Sequence, residues 1–522
     1  MNGKPVRDKL YPDATIISMY DDDPWGDLVD PDDFDEAEST RSLSGRGCLF
    51  LAITVILIAS LVGSSILTYF AITRSQSRVN DDQLGARQSI VAPGPTAAPA
   101  TVIAAAAALP TSEPPAPELI PEINRIAIVN GEGQVETMSP SGENRRILTL
   151  SSDNALFQFP AWTPDGRHLA VIGSRMNGSG IYVLEDTART GSLLEHQVYF
   201  SADEPPIYLF WSPDNVTLGF LANHARDTLG LNVIAGDGTS ESRLLATGAP
   251  FYWDWTDDGR QLLIHAGQTR ADDTLALIDL NGDPQAGNLA NPGEFQAPGV
   301  GPGGRYWAFA EATDDGFSSL VVIDTQTGER MALGKVGSLA LGWSPAGDQI
   351  AYTNGAANEH PFWGPLHLLD MTTGDDRQLT TQTVLAFFWS PDGRQIAFVT
   401  LNNLEFDDSI NAALPDKSRH MSRVAEVPAA QPRQGFLTLS VVNVETGQGL
   451  RLLDFEPTRV YLSQFLPFFD QYALSHSIWS PDSRSIVLPV REDGRNSILI
   501  IPAEGGRPNR LAEGDIGFWS HK

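Results

Sequence analysis

The chain has 522 residues, and 35 Lys and Arg stand against 65 Asp and Glu for a formal charge of −30. So acidic a chain lacks the basic face that phosphate backbones require, which excludes nucleic acid as the main partner. A single cysteine, Cys48, excludes an intramolecular disulfide framework and a cysteine-rich zinc site, while 42% hydrophobic residues supply a large core.

In chain order, residues 1–47 hold twelve acidic residues against five basic ones and show no apolar periodicity, the pattern of a disordered acidic tail. Residues 48–72 (CLFLAITVILIASLVGSSILTYFAI) carry no charge. As a helix they span roughly 37 Å, more than the ~30 Å hydrocarbon core, so they are expected to form one transmembrane helix. The run follows Cys48 instead of preceding it, which rules out a lipobox. Ala59 and Gly63 have the small-xxx-small spacing that permits a weak homodimer within the bilayer. Arg41 and Arg46 on one side balance Arg74 and Arg78 on the other. The short tail and the stalk that follows the span therefore decide the orientation: N-terminus cytoplasmic, C-terminal part extracytoplasmic. Residues 73–121 become rich in Pro and Ala, a linker of extended polyproline character.

Residues 122–522 contain an internal repeat: Trp-Ser/Thr-Pro-Asp-Gly-Arg followed by alternating apolar residues. Copies begin at Trp162, Trp211, Trp255, Trp343, Trp389 and Trp479, with a degenerate copy at Val300. The successive intervals are 49, 44, 45, 43, 46 and 90 residues. Periods of roughly 40 to 50 with short strands are those of propeller blades. An apolar first strand ends at the Trp, Pro-Asp-Gly makes the first turn, a second strand follows, and after a variable loop the third and fourth strands flank a second Gly-containing turn. The 90-residue interval reads as one blade with a long insertion, residues 401–435. The start, residues 125–148 (RIAIVNGEGQVETMSPSGENRRIL), looks like strands two to four without a first, and the end, residues 515–519 (DIGFW), like a lone first strand. Joined, they complete an all-β propeller of about eight four-stranded blades, with seven as the alternative count.

The WSPDGR repeat resembles the TolB-type propeller repeat, related in pattern to WD-type repeats, across residues 122–522. That resemblance implies a fold and a binding role for proteins, peptides or small ligands. TolB itself is a soluble periplasmic protein with a small α/β domain before six blades, and it binds a peptidoglycan-associated lipoprotein. A stalk and an anchor replace that α/β domain here, so its partner is not carried over.

Repeated Trp, Pro, Asp and Gly residues read as structural, because they recur in blade after blade. The connections between strands two and three, and from strand four to the next blade, are long and varied, including 401–435 and 454–474. Function concentrates where a rigid scaffold presents variable loops. The candidate ligand-binding residues on that face are Tyr208, Tyr252, Trp253, Arg226, Arg270, Asp314, His360, Trp363 and Arg491. No G-x-S-x-G, H-E-x-x-H or phosphate-binding Gly-rich loop occurs, and Asp279–Asp283 suits a hairpin turn better than a calcium loop. The chain is therefore expected not to be an enzyme and to use no cofactor or metal. The leading reading is a bacterial, membrane-anchored scaffold binding a protein, a peptide or a cell-envelope polymer. The alternatives are a hydrolase or lyase acting on glycan or peptide in the propeller funnel, and a sensor signalling through the acidic tail.

Overall fold

The computed structural model describes residues 124–187, 191–225, 228–267, 274–286, 289–294, 297–355, 362–402 and 437–522. The acidic tail, the apolar run 48–72 with Ala59 and Gly63, the linker and most of the insertion 401–435 lie outside these residues. Among the described residues no helix is long and apolar enough to cross a membrane.

Eight antiparallel sheets form among the described residues, seven of four strands and one of three. The Pro-Asp-Gly turns explain the hairpins: after Trp389, the Gly393 N–H donates to the Ser390 carbonyl at 2.9 Å, and φ at Gly393 is 69°. In blade 2, for example, Leu156–Trp162, His168–Arg175, Gly178–Glu185 and Gln197–Ser201 pair in sequence from the innermost strand outwards. Blade 7 joins Val384–Trp389, Gln395–Leu401, Leu437–Asn443 and Gly449–Phe455, so the 90-residue interval is one blade and the count is eight. The three-stranded blade 8, Ser485–Glu492, Arg495–Pro502 and Asn509–Glu513, is edged by the isolated bridges Trp479↔Ile486 and Ser477↔Trp519.

Blade 1 closes the ring from both ends of the sequence. Ile516–Trp519 pairs with Ile126–Val129, which continues to Val135–Met138 and Arg146–Ile147. Around this seam lies a buried ion cluster. The Arg125 Nε and Arg146 Nη1 atoms each sit 2.7 Å from Asp186 Oδ2, and the Thr137 hydroxyl donates to the other Asp186 oxygen. Arg125 also donates to the Asn144 carbonyl at 2.7 Å.

The repeated Trp stitches blade to blade. Each indole N–H donates to a main-chain carbonyl on the inner strand of the blade before: Trp162 to Phe518, Trp211 to Ala161, Trp255 to Phe210, Trp389 to Gly342 and Trp479 to Phe388, at 3.0–3.4 Å. Trp343 departs from the pattern. Its preceding blade is the degenerate one, where the indole packs over Gly299 and Gly301 and stacks on Tyr306 at 5.9 Å. Asn215 and Ser483 occupy the turn position that Gly fills elsewhere, at φ of 63° and 60°. Each uses its side chain to accept an N–H from the neighbouring blade's turn, at Asp165 and Asp392 respectively. The hydrogen bond compensates a conformation that a non-glycine residue adopts reluctantly.

Replacing Asp186 with Leu strands the Arg125 charge in the seam, since both side chains are 1% exposed. Stripping one partner from a buried pair costs about 3–5 kcal/mol. The full-length D186L chain should lose that much in urea denaturation, and a loss below about 1 kcal/mol would rule out the seam as a main source of stability.

Candidate functional site

Strand direction separates two faces. The Pro-Asp-Gly turns and the third hairpins lie on one, the turn face, where the chain enters at Asn124. The strand two–three hairpins and the blade-to-blade connections lie on the other, the loop face. The inner strands surround the axis, and the axis is occupied. The connection from blade 7 to blade 8, read from sequence as a loop within 454–474, is helical. It runs as a π-helical turn Tyr461–Phe465, a 3-10 turn Leu466–Phe468 and one short α-helix, Phe469–Ser475.

Aromatic contacts hold this axial segment against inner strands around the ring. Tyr472 stacks on Phe159 of blade 2 at 4.9 Å and meets Tyr208 of blade 3 edge-on at 5.1 Å. Phe465 lies 5.5 Å from Phe518 of blade 1 and stacks on Phe388 of blade 7 at 5.8 Å, while Phe469 meets Phe387 at 5.3 Å. Phe159 sits in a bulge of its strand at φ 46°, a backbone distortion that re-aims a side chain, here towards Tyr472.

Polar contacts fix the register. The Gln471 amide acts as a substitute strand: Nε2 donates to the Trp253 carbonyl and Oε1 accepts the Trp253 N–H, both at 2.9 Å. Gln471 Nε2 also donates to Tyr208 Oη at 3.2 Å, and the Tyr208 hydroxyl lies 2.7 Å from Ser475 Oγ. Ser475 Oγ is in turn 2.7 Å from His476 Nδ1. Asp470 Oδ2 accepts the Ala297 N–H at 2.9 Å just before blade 5, and its other oxygen is buried without a hydrogen bond.

Burial sets the protonation states. Desolvation raises the Asp254 carboxyl to about 7 and the Asp470 carboxyl to about 6, against their main-chain N–H donors. Desolvation also lowers His476 to about 3, so its imidazole is neutral at ordinary pH, and pushes the Tyr208, Tyr252 and Tyr472 hydroxyls well above the usual tyrosine range. Ser475 and His476 resemble a nucleophile beside a base, but at 3% and 2% exposure no substrate reaches them in this arrangement.

Of the sequence candidates, Tyr208, Tyr252 and Trp253 are interior, and Tyr208 and Trp253 serve as the seat of the axial segment. Asp314 is exposed in the blade 5 hairpin, and Trp363 is half-buried on blade 6. Arg491 is exposed, 3.3 Å from Glu456 at the start of the axial connection. Arg226, Arg270 and His360 lie outside the described residues. The structure therefore does not bring the candidates together around an open channel mouth. Asp279 accepts the N–H groups of Asn281 and Asp283, which is turn chemistry. Among the described residues no cluster of three His, Cys, Asp or Glu is placed to hold a metal ion. Sequence reasoning missed Asp470, Gln471, Tyr472, Ser475 and His476. The signal was present: Tyr461, Phe465, Phe469 and Tyr472 fall at helical spacing, one stripe facing one way.

No known family model matches the chain, and no curated protein matches its sequence. Solved structures match its fold. TolB from Acinetobacter baumannii is 15% identical over 67% of this chain and 81% of its own, with a TM-score of 0.32. An oligogalacturonate lyase in complex with manganese is 14% identical over 73% and 96%, at 0.42. The dihydro-heme d1 dehydrogenase NirN is 11% identical over 78% of each chain, at 0.45. Two of these are enzymes by name, and a puromycin hydrolase also matches. The expectation that the chain is not an enzyme is corrected accordingly: missing sequence motifs do not exclude activity, and the matching structures include a lyase, a dehydrogenase and a hydrolase. The eight sheets and their closure establish the β-propeller, and matches at such identities assign no reaction.

The buried carboxyls make stability depend on pH. Asp470 is raised on folding, so its contribution is full below about 4 and is lost as pH rises through about 6; His476, lowered on folding, loses its contribution as pH falls from about 6.5 towards 3. Asp470→Asn removes only the first effect. Between pH 4.5 and 7.5 the variant should gain up to about 3 kcal/mol relative to the wild type in urea denaturation. A difference that stays flat with pH would contradict a carboxyl raised by burial.

Proposed function

We propose that the chain is a single-pass, membrane-anchored propeller of the bacterial cell envelope, with residues 48–72 as the span, the acidic tail cytoplasmic and the propeller exported. Its role is to bind a protein, a peptide or an envelope polymer on the loop face. One observation supports this reading above the others: the axial segment fills the channel where a funnel substrate would sit. Recognition then falls to the broad rim around it, where Phe468 (43% exposed), Asp314 and Arg491 face solvent. A lyase or hydrolase site in the funnel would first require Tyr461–Ser475 to move, against the aromatic contacts and the Gln471–Trp253 pair that hold it.

Photo-crosslinking residues introduced one at a time into the full-length chain in its own cells test the reading. Adducts are expected from positions 314, 363 and 468 on the loop face and not from position 216 on the turn face. Adducts confined to position 216, or none from the loop face, would overturn it. Alkaline extraction of membranes tests the anchor: the chain should stay in the pellet, and a variant lacking 48–72 should be released.

A further inference from the structure

We infer that the loop face of blades 1 to 3 carries a docking surface for a cationic, leucine-rich type of protein segment, one that alternates basic and apolar side chains. This rests on the loop-face reading above and names the chemistry of the partner.

The surface is built from exposed apolar side chains on one face. Leu150 (43% exposed) and Leu156 (48%) flank the connection from blade 1 to blade 2, Met176 (75%) tips the next hairpin, and Ile207 (41%) opens the inner strand of blade 3. The segments that carry them lie close together. A Cβ on Gly133 in the blade 1 hairpin would come within 2.8 Å of the Leu156 side chain. Leu156 pairs with Ser174, two residues before Met176, and a Cβ on Gly178 across the same hairpin would meet the Ser201 carbonyl and Ala202, the start of the connection leading to Ile207. Leu, Met and Ile exposed on one face cost free energy in water, and Met adapts its shape to whatever packs on it.

Charge identifies the occupant. Glu132, Asp153 and Asp203 border the surface, with Glu132 3.0 Å from Ser151 and Asp153 capping the Leu150 N–H at 2.8 Å. Among the described residues, Arg175 on this part of the face lies over the Tyr182 ring at 5.3 Å. An apolar surface bordered by carboxylates repels an acidic segment and steers in a basic one.

The test uses the full-length chain and two labelled 14-residue peptides of one pattern, Leu with Lys and Leu with Glu, followed by fluorescence anisotropy at about 150 mM salt. The Leu/Lys peptide should bind at least about tenfold more tightly than the Leu/Glu peptide. Met176→Ser, and separately Glu132→Gln with Asp203→Asn, should each weaken it by about threefold or more, while Val216→Ser on the turn face leaves it unchanged. Equal binding of both peptides, or indifference to Met176→Ser, overturns the inference. So does a variant lacking 403–436 that gains about tenfold in affinity, because the chain itself would then be the occupant. If loop-face crosslinks persist while Met176→Ser changes nothing, partner binding lies elsewhere on that face and only this inference fails; if the loop face yields no crosslinks, the broader reading fails first.

Discussion

A small antiparallel sheet is marginal alone because its edges leave main-chain N–H and C=O groups unpaired and only one of its faces is covered. Everything in this propeller depends on removing that liability by closing a ring. The pairing of Ile516–Trp519 with Ile126–Val129 supplies the inner strand that the N-terminal sheet lacks. Because this contact joins residues almost four hundred positions apart, it stabilises the fold only once the intervening blades are in place. The Asp186 cluster lies beside the join, and the indole N–H bonds repeat a smaller version of the same linkage between five other pairs of blades.

The ring creates an axis, and the chain fills it from within. An open channel would expose the aromatic side chains that the inner strands present to the axis. The axial segment covers them with its own aromatic stripe. Gln471 completes the arrangement, since its amide supplies the donor and the acceptor that a neighbouring strand would otherwise offer to Trp253. Burying Asp254, Asp470 and His476 in this interior is electrostatically costly, and their protonation responds: the carboxyls hold protons more tightly and the imidazole less tightly. Their contributions to stability therefore run in opposite directions as pH changes.

The two faces consequently differ in kind. On the turn face, the Pro-Asp-Gly hairpins repeat the same Ser/Thr–Asp bonds from blade to blade. The loop face carries the axial cap, the exposed Leu, Met and Ile residues of blades 1 to 3, and a border of carboxylates. A scaffold this rigid holds those side chains in fixed relative positions, which is what turns scattered surface residues into a recognisable surface.

Fold class, repeat and closure were legible in the amino-acid sequence, because each blade repeats the same local instructions: an apolar strand ending in Trp, a Pro-Asp-Gly turn, and alternation with a period of two. Local patterns of this sort act through neighbouring residues and survive without knowledge of the rest of the chain. The roles of Tyr208, Tyr252 and Trp253 were not legible, because an aromatic at the start of an inner strand looks the same whether it meets water or a helix from blade 7. Only the tertiary structure decides that, by carrying Phe465, Phe469, Gln471 and Tyr472 to the axis across more than two hundred residues of chain from Tyr208 and Trp253. Burial, and with it the shifted carboxyls and the closed channel, is a property of what the folded chain brings together, and no local pattern encodes it.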